Sequence, residues 1–231
     1  MATVYGPAIA AIIVSWAVTG KEGIKRLLKK LLPSGKYLVY SLLIPVISTG
    51  LTLVAYHLAG LSFKLIVQFI EKDWWLLLSQ LAVQFLIVGI GEETGWRGWL
   101  LPHLLKKNSF LLTVGFVTLV WALWHLPILF QNFEIVYPWL IILFSISIIF
   151  SWLWIKVKGN LFVLAIAHAS VNAPQAFIEN RMIEARMASH YLLGGWEIMG
   201  YTYLLAALVV IIFGYRHLVQ NQLNSPDFYQ G

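Results

Sequence analysis

The sequence predicts an all-α, polytopic transmembrane bundle of seven to eight spans with a polar cavity inside the membrane, and three observations predict it. The chain has 231 residues, 60% of them hydrophobic and 11% charged, with a mean hydropathy of +0.79. A soluble domain has too little polar surface to cover such a composition. The apolar runs are about twenty residues long and uninterrupted, the length of a membrane helix, whereas barrel strands alternate over about ten. Glu, Arg, His and Asn side chains recur inside three of those runs, where lipid alone gives them no partner. An aromatic share of 15% excludes a disordered chain, and the lack of cysteine excludes a disulfide scaffold and thiol catalysis.

Taken in order, the runs cover residues 2–19, 37–60, a stretch within 76–105, 111–130, 135–155, 159–178 and 198–215. The first has no charged region ahead of it and carries its cations behind, so it reads as a retained anchor with the N-terminus outside, not as a cleaved signal. Lys21, Lys25, Arg26, Lys29, Lys30 and Lys36 fill the loop that follows, the pattern of a cytoplasmic connection. Alternate threading adds Lys106, Lys107, Lys156, Lys158 and Arg216 to that side and leaves Lys64, Lys72, Arg181 and Arg186 on the other. The pI near 9.5 therefore reflects membrane orientation and contact with anionic lipid, and nucleic acid is not an expected partner. Residues 179–195 read as the one long outer connection. Residues 1–215 form the expected single domain, and 216–231 a polar tail.

The informative residues are those a lipid-facing helix avoids. Glu92, Glu93 and Arg97 lie in the third run, His125 in the fourth, and His168 and Asn172 in the sixth. Counted at about 1.5 Å per residue from the nearest cations (Lys106, Lys107 and Lys158), their depths overlap at about 15–27 Å, so three neighbouring helices can bring them to one pocket. Residues four apart share a helix face. Glu93 and Arg97 therefore pair, Glu92 points elsewhere and faces a cavity, and His168 and Asn172 stand side by side. Gly89, Gly91, Gly95 and Gly98 thin the third run for close helix approach or a local break.

A carboxylate and an imidazole beside one water can make it a nucleophile, and an imidazole with an amide NH2 can donate to the oxyanion of a tetrahedral intermediate. The set thus reads as a peptidase without serine or cysteine, acting on a membrane-associated peptide or protein. Paired carboxylates and histidines also build proton relays, so a proton-coupled transporter is the alternative from another class. A non-catalytic immunity or binding scaffold is a third.

These residues also resemble a known family, the CPBP membrane endopeptidases, which include the type II CAAX prenyl endopeptidases and bacterial abortive-infection or bacteriocin-processing proteins. Glu92-Glu93-Thr94-Gly95-Trp96-Arg97-Gly98-Trp99-Leu100-Leu101-Pro102 is similar to that family's EExxxR box with its continuation. Trp121 to His125 is similar to its aromatic-xxx-His box, with tryptophan where phenylalanine is usual, and His168 to Asn172 matches HxxxN. The resemblance spans about residues 76–178. It implies that Glu92 and His125 activate water, that His168 and Asn172 form the oxyanion site, and that Glu93 and Arg97 support them. It also implies a multi-pass protein, here expected in a prokaryotic cell membrane. The family has been read both as metalloproteases and as metal-free glutamate peptidases. The expectation here is no cofactor, the alternative being one zinc on Glu92, His125 and His168. The spacing lacks the compact His-Glu-x-x-His pattern of a strong zinc motif.

Overall fold

The computed structural model describes residues 2–130, 133–187 and 189–224. The described residues form helices α1 (Gly6–Lys29), α2 (Leu38–Leu58), α3 (Phe63–Gln84), α4 (Ile90–Gly95), α5 (Leu101–Leu105), α6 (Phe110–Leu129), α7 (Phe133–Lys156), α8 (Leu161–Glu184) and α9 (Ser189–Asn224), with no strand among them. Among the described residues, six helical stretches are long and apolar enough to cross a bilayer: Gly35–Leu58, Phe63–Leu105, Phe110–Pro127, Phe133–Lys156, Leu161–Glu184 and Ser189–Gly214. The protein is an integral membrane helical bundle. Its exposed surface carries Leu42, Val46, Leu86, Leu119, Leu205 and Phe213, the apolar coat that lipid requires.

The first apolar run is not among those six. Gly20 adopts φ 65° and ψ −156°, a conformation open to glycine, and it breaks α1. The part before the break runs alongside α4, where a Cβ on Gly91 would lie 2.9 Å from the Val4 carbonyl oxygen. Tyr5 also donates to the Leu86 carbonyl at 2.7 Å, so this segment begins beside the middle of the long third span. Past the break, the basic part of α1 packs at the end of the bundle where Leu161 N–H donates to the Lys30 carbonyl at 2.8 Å. Asn160 Nδ2 donates to the Leu32 carbonyl at 3.1 Å there, so the basic connections converge on one end.

The third span is longer than the sequence pattern suggests, because helix begins at Phe63 and continues for 43 residues with a bend at Asp73. Asp73 accepts from Arg181 Nη1 at 2.8 Å, and Trp74 and Trp75 stand exposed just after the bend, as interfacial anchors do. Two wide π-helical turns, Phe85–Gly89 and Trp96–Leu100, flank α4. Such turns rotate side chains out of the regular helical register and recur at functional sites. They meet the expectation of a local break while keeping the backbone hydrogen-bonded inside the membrane.

Helix α8 is the centre of the bundle, with 78% of its most apolar window buried against 11–44% for the other spans. Small residues allow that centrality: a Cβ on Gly89 would sit 2.5 Å from the Ala165 carbonyl oxygen, so the third span and α8 touch backbone to backbone. Asn160 starts α8 by accepting from Val163 N–H at 3.1 Å. The long connection expected over residues 179–195 is a correction. Helix α8 runs to Glu184 and α9 begins at Ser189, because Arg181 and Glu184 pair on the helix surface at 2.6 Å instead of entering a loop. The expected tail also begins within α9, which is described to Asn224, and residues 225–231 lie outside the described residues.

Candidate active site

Helix α4 delivers two adjacent carboxylates to opposite duties. Glu93 is fully buried and accepts from Arg97 Nη1 at 3.0 Å, the i,i+4 pair that the spacing predicts. The same oxygen, Oε1, receives His168 Nδ1 at 2.8 Å, so one carboxylate ties an arginine of its own span to a histidine of α8. The Arg97 guanidinium lies 4.3 Å from the Trp121 ring centroid and 5.2 Å from that of Phe150. Aromatic faces thus cover a cation that has left water.

Glu92 turns the other way, into a cavity of about 100 Å³ whose walls include His125, His168, Asn172 and Gln175. Its Oε2 accepts from the Trp121 indole N–H at 2.6 Å and from the Trp96 indole N–H at 3.3 Å. Its Oε1 lies 3.9 Å from His125 Nε2, too far for a direct hydrogen bond. His125 Nδ1 sits 2.9 Å from the Trp121 carbonyl, which only accepts, so the ring proton is on Nδ1 and the Nε2 lone pair faces Glu92. One water can bridge two acceptors at this spacing, at about 2.8 Å from each.

Every sequence-predicted site residue reaches this cluster. Glu92, His125, His168 and Asn172 line the cavity, and Glu93 and Arg97 stand behind it. Sequence reasoning missed Gln84, whose Oε1 accepts from Asn172 Nδ2 at 3.4 Å, although a glutamine in an apolar span was a signal that could have found it. Both tryptophans that hold Glu92 were also missed as hydrogen-bond donors. At the far end of the cavity, Gln175 leads to Glu179, which accepts from Tyr56 O–H at 2.8 Å and from Gln175 Nε2 at 3.1 Å.

For the zinc alternative on Glu92, His125 and His168, no group of three or more His, Asp or Glu side chains among the described residues is disposed to hold a metal ion.

Residues 73–174 match the family model for type II CAAX prenyl endopeptidase Rce1-like proteins. Over 104 residues the chain is 27% identical to CAAX prenyl protease 2 of Methanococcus maripaludis, an alignment covering 40% of this chain and 38% of that protein. The match thus spans well under half the length of that curated relative. All three motifs fall inside the matched segment. The fold and the site define a polytopic helical membrane protein with a buried Glu/His/Asn cavity, and it resembles the type II CAAX prenyl endopeptidases over the segment that builds the cavity.

Trp121 occupies the position where that family usually has phenylalanine, and the exchange adds a donor aimed at Glu92. Trp121→Phe keeps an aromatic face for Arg97 and removes the N–H. A hydrogen bond to a charged group contributes about 1.5–3 kcal/mol, so if the cavity hydrolyses peptides, kcat should fall about tenfold or more with KM little changed. Steady-state kinetics on the two proteins checks this, and an unchanged kcat would leave Trp121 a packing residue.

Proposed function

We propose that the protein is an intramembrane endopeptidase that hydrolyses a peptide bond in a membrane-tethered or C-terminal segment of its substrate, in a prokaryotic cell membrane. The observation that carries this reading is the pair of acceptors, Glu92 Oε1 and His125 Nε2, held 3.9 Å apart in the wall of a cavity that His168 and Asn172 share. The resemblance to peptide hydrolases supports it.

A water between the two acceptors donates one hydrogen to each and turns a lone pair toward the scissile carbonyl. As it attacks, its proton passes to the Glu92/His125 pair, which returns it to the departing amine. The new oxyanion needs donors. Asn172 Nδ2 is one, oriented by Gln84. His168 Nε2 is the other, on a ring held from behind by the contact of its Nδ1 with Glu93 Oε1 at 2.8 Å, which gives the buried Arg97-Glu93-His168 chain a chemical purpose as well as a structural one.

The test is cleavage of a fluorogenic, membrane-tethered peptide library by protein reconstituted in liposomes. Wild-type protein should release product, and His125→Ala should lose at least about tenfold in rate while remaining inserted and monodisperse. Equal rates for the two proteins would overturn the proposed role of the pair.

A further inference from the structure

A second cavity lies at the basic end of the bundle and shares no residue with the first. It measures about 60 Å³ and is bounded by Ser15, Thr19 and Arg26 of α1, by Lys30 just past its end, and by Trp99 and His103 of the third span. Gly20 builds it. The break there folds the basic part of α1 against the Gly98–His103 stretch, where Leu27 packs so closely that a Cβ on Gly98 would lie 2.9 Å from its methyl carbon. Arg26 and Lys30 are four residues apart and so share the helix face that closes the cavity.

The charges in this cavity are of one sign. Among the described residues, neither Arg26 nor Lys30 has a carboxylate within ion-pair distance. Burial, and then the like charges of Lys106 and Arg26, hold the Lys30 ammonium below its usual range. Lys30 thus loses hydration and meets the like charge of Arg26 in a partly enclosed space without an anion, and a bound anion reverses both penalties. The volume suits a tetrahedral oxyanion and is too small for an acyl chain. The Ser15 hydroxyl adds an uncharged polar contact that such an ion uses.

We propose that this cavity binds a phosphate-type anion through Arg26 and Lys30 and so clasps the basic segment of α1 to the span that carries Glu92. Two sources share this chemistry, the phosphodiester of an anionic lipid headgroup and free inorganic phosphate. Binding ties together two segments that otherwise meet through Leu27 and Gly98, so it raises thermal stability by linkage.

The experiment is thermal unfolding of the purified full chain in neutral detergent, with dioleoylphosphatidylglycerol, dioleoylphosphatidylcholine or inorganic phosphate added at matched ionic strength. Arg26→Gln, Lys30→Gln and a distant control, Lys64→Gln, are run alongside wild type. Phosphatidylglycerol or phosphate should raise Tm by several degrees in wild type and Lys64→Gln, and the rise should fall by half or more in Arg26→Gln and Lys30→Gln. A rise with phosphatidylglycerol alone assigns the lipid headgroup, and a rise with phosphate as well assigns the free ion. Arg26 is exposed, so its exchange spares the fold and decides the matter if Lys30→Gln fails to accumulate. Equal rises in all four proteins, or no rise in wild type, would overturn the proposal.

Discussion

Glu92→Gln should lower kcat for peptide cleavage by about 10²–10⁴-fold, the range that a general base contributes. The substitution is chosen for what it preserves. Glutamine keeps an oxygen that can accept from the Trp121 and Trp96 indoles, which now donate to Glu92 Oε2 at 2.6 and 3.3 Å, so the side chain has reason to stay in place. What it loses is the charge and the basicity of the oxygen facing His125. KM should change little, because the loss falls on a group that acts in the transition state. Circular dichroism and gel filtration should show an intact helical protein. A variant that cleaves at wild-type rate would remove Glu92 from the chemistry and favour a structural carboxylate. If Glu92→Gln is inactive but Trp121→Phe is fully active, the base survives and only its proposed orientation by the indole fails.

Much of this site was legible because its information is local. The i,i+4 spacing alone pairs Glu93 with Arg97, and the same spacing sets His168 beside Asn172. The depth of each polar group follows from counting residues to the nearest cation, and the helices that carry Glu92, His125 and His168 do converge. What spacing cannot express is which partner a group takes across helices. The contact of His168 with Glu93 spans 75 positions and that of Trp121 with Glu92 spans 29. In a composition rich in tryptophan, Trp121 reads as one more apolar ring until its N–H has a target. Gln84 was overlooked for the same reason, since its use appears only when α3 and α8 are side by side. The fold shows the same division. Long apolar runs marked the spanning helices, but the break at Gly20 depends on a backbone angle that hydropathy does not carry, and it divides a nominal span into a short apolar segment followed by a basic one.

Arg97→Ala should destabilise the protein by about 3–5 kcal/mol, the usual cost of removing one partner from a buried ion pair. Arg97 is completely buried, bonded to Glu93 at 3.0 Å and stacked between Trp121 and Phe150, and alanine leaves both a void and a carboxylate without its permanent counter-ion. Reversible unfolding in sodium dodecyl sulfate micelles measures the loss, and stability within about 1 kcal/mol of wild type would contradict it. A companion variant separates stability from chemistry. Replacing both partners, Glu93→Gln with Arg97→Met, removes the unpaired charge and fills the space with a similar volume, so much of the lost stability should return. Activity should not return with it, because Glu93 Oε1 also faces His168 Nδ1 at 2.8 Å and the amide no longer offers that ring a carboxylate partner. A double variant that folds well and cleaves at the wild-type rate would show that Glu93 serves the fold alone, whereas a stable and inactive one makes the arginine the guardian of the carboxylate and the carboxylate the positioning group for His168.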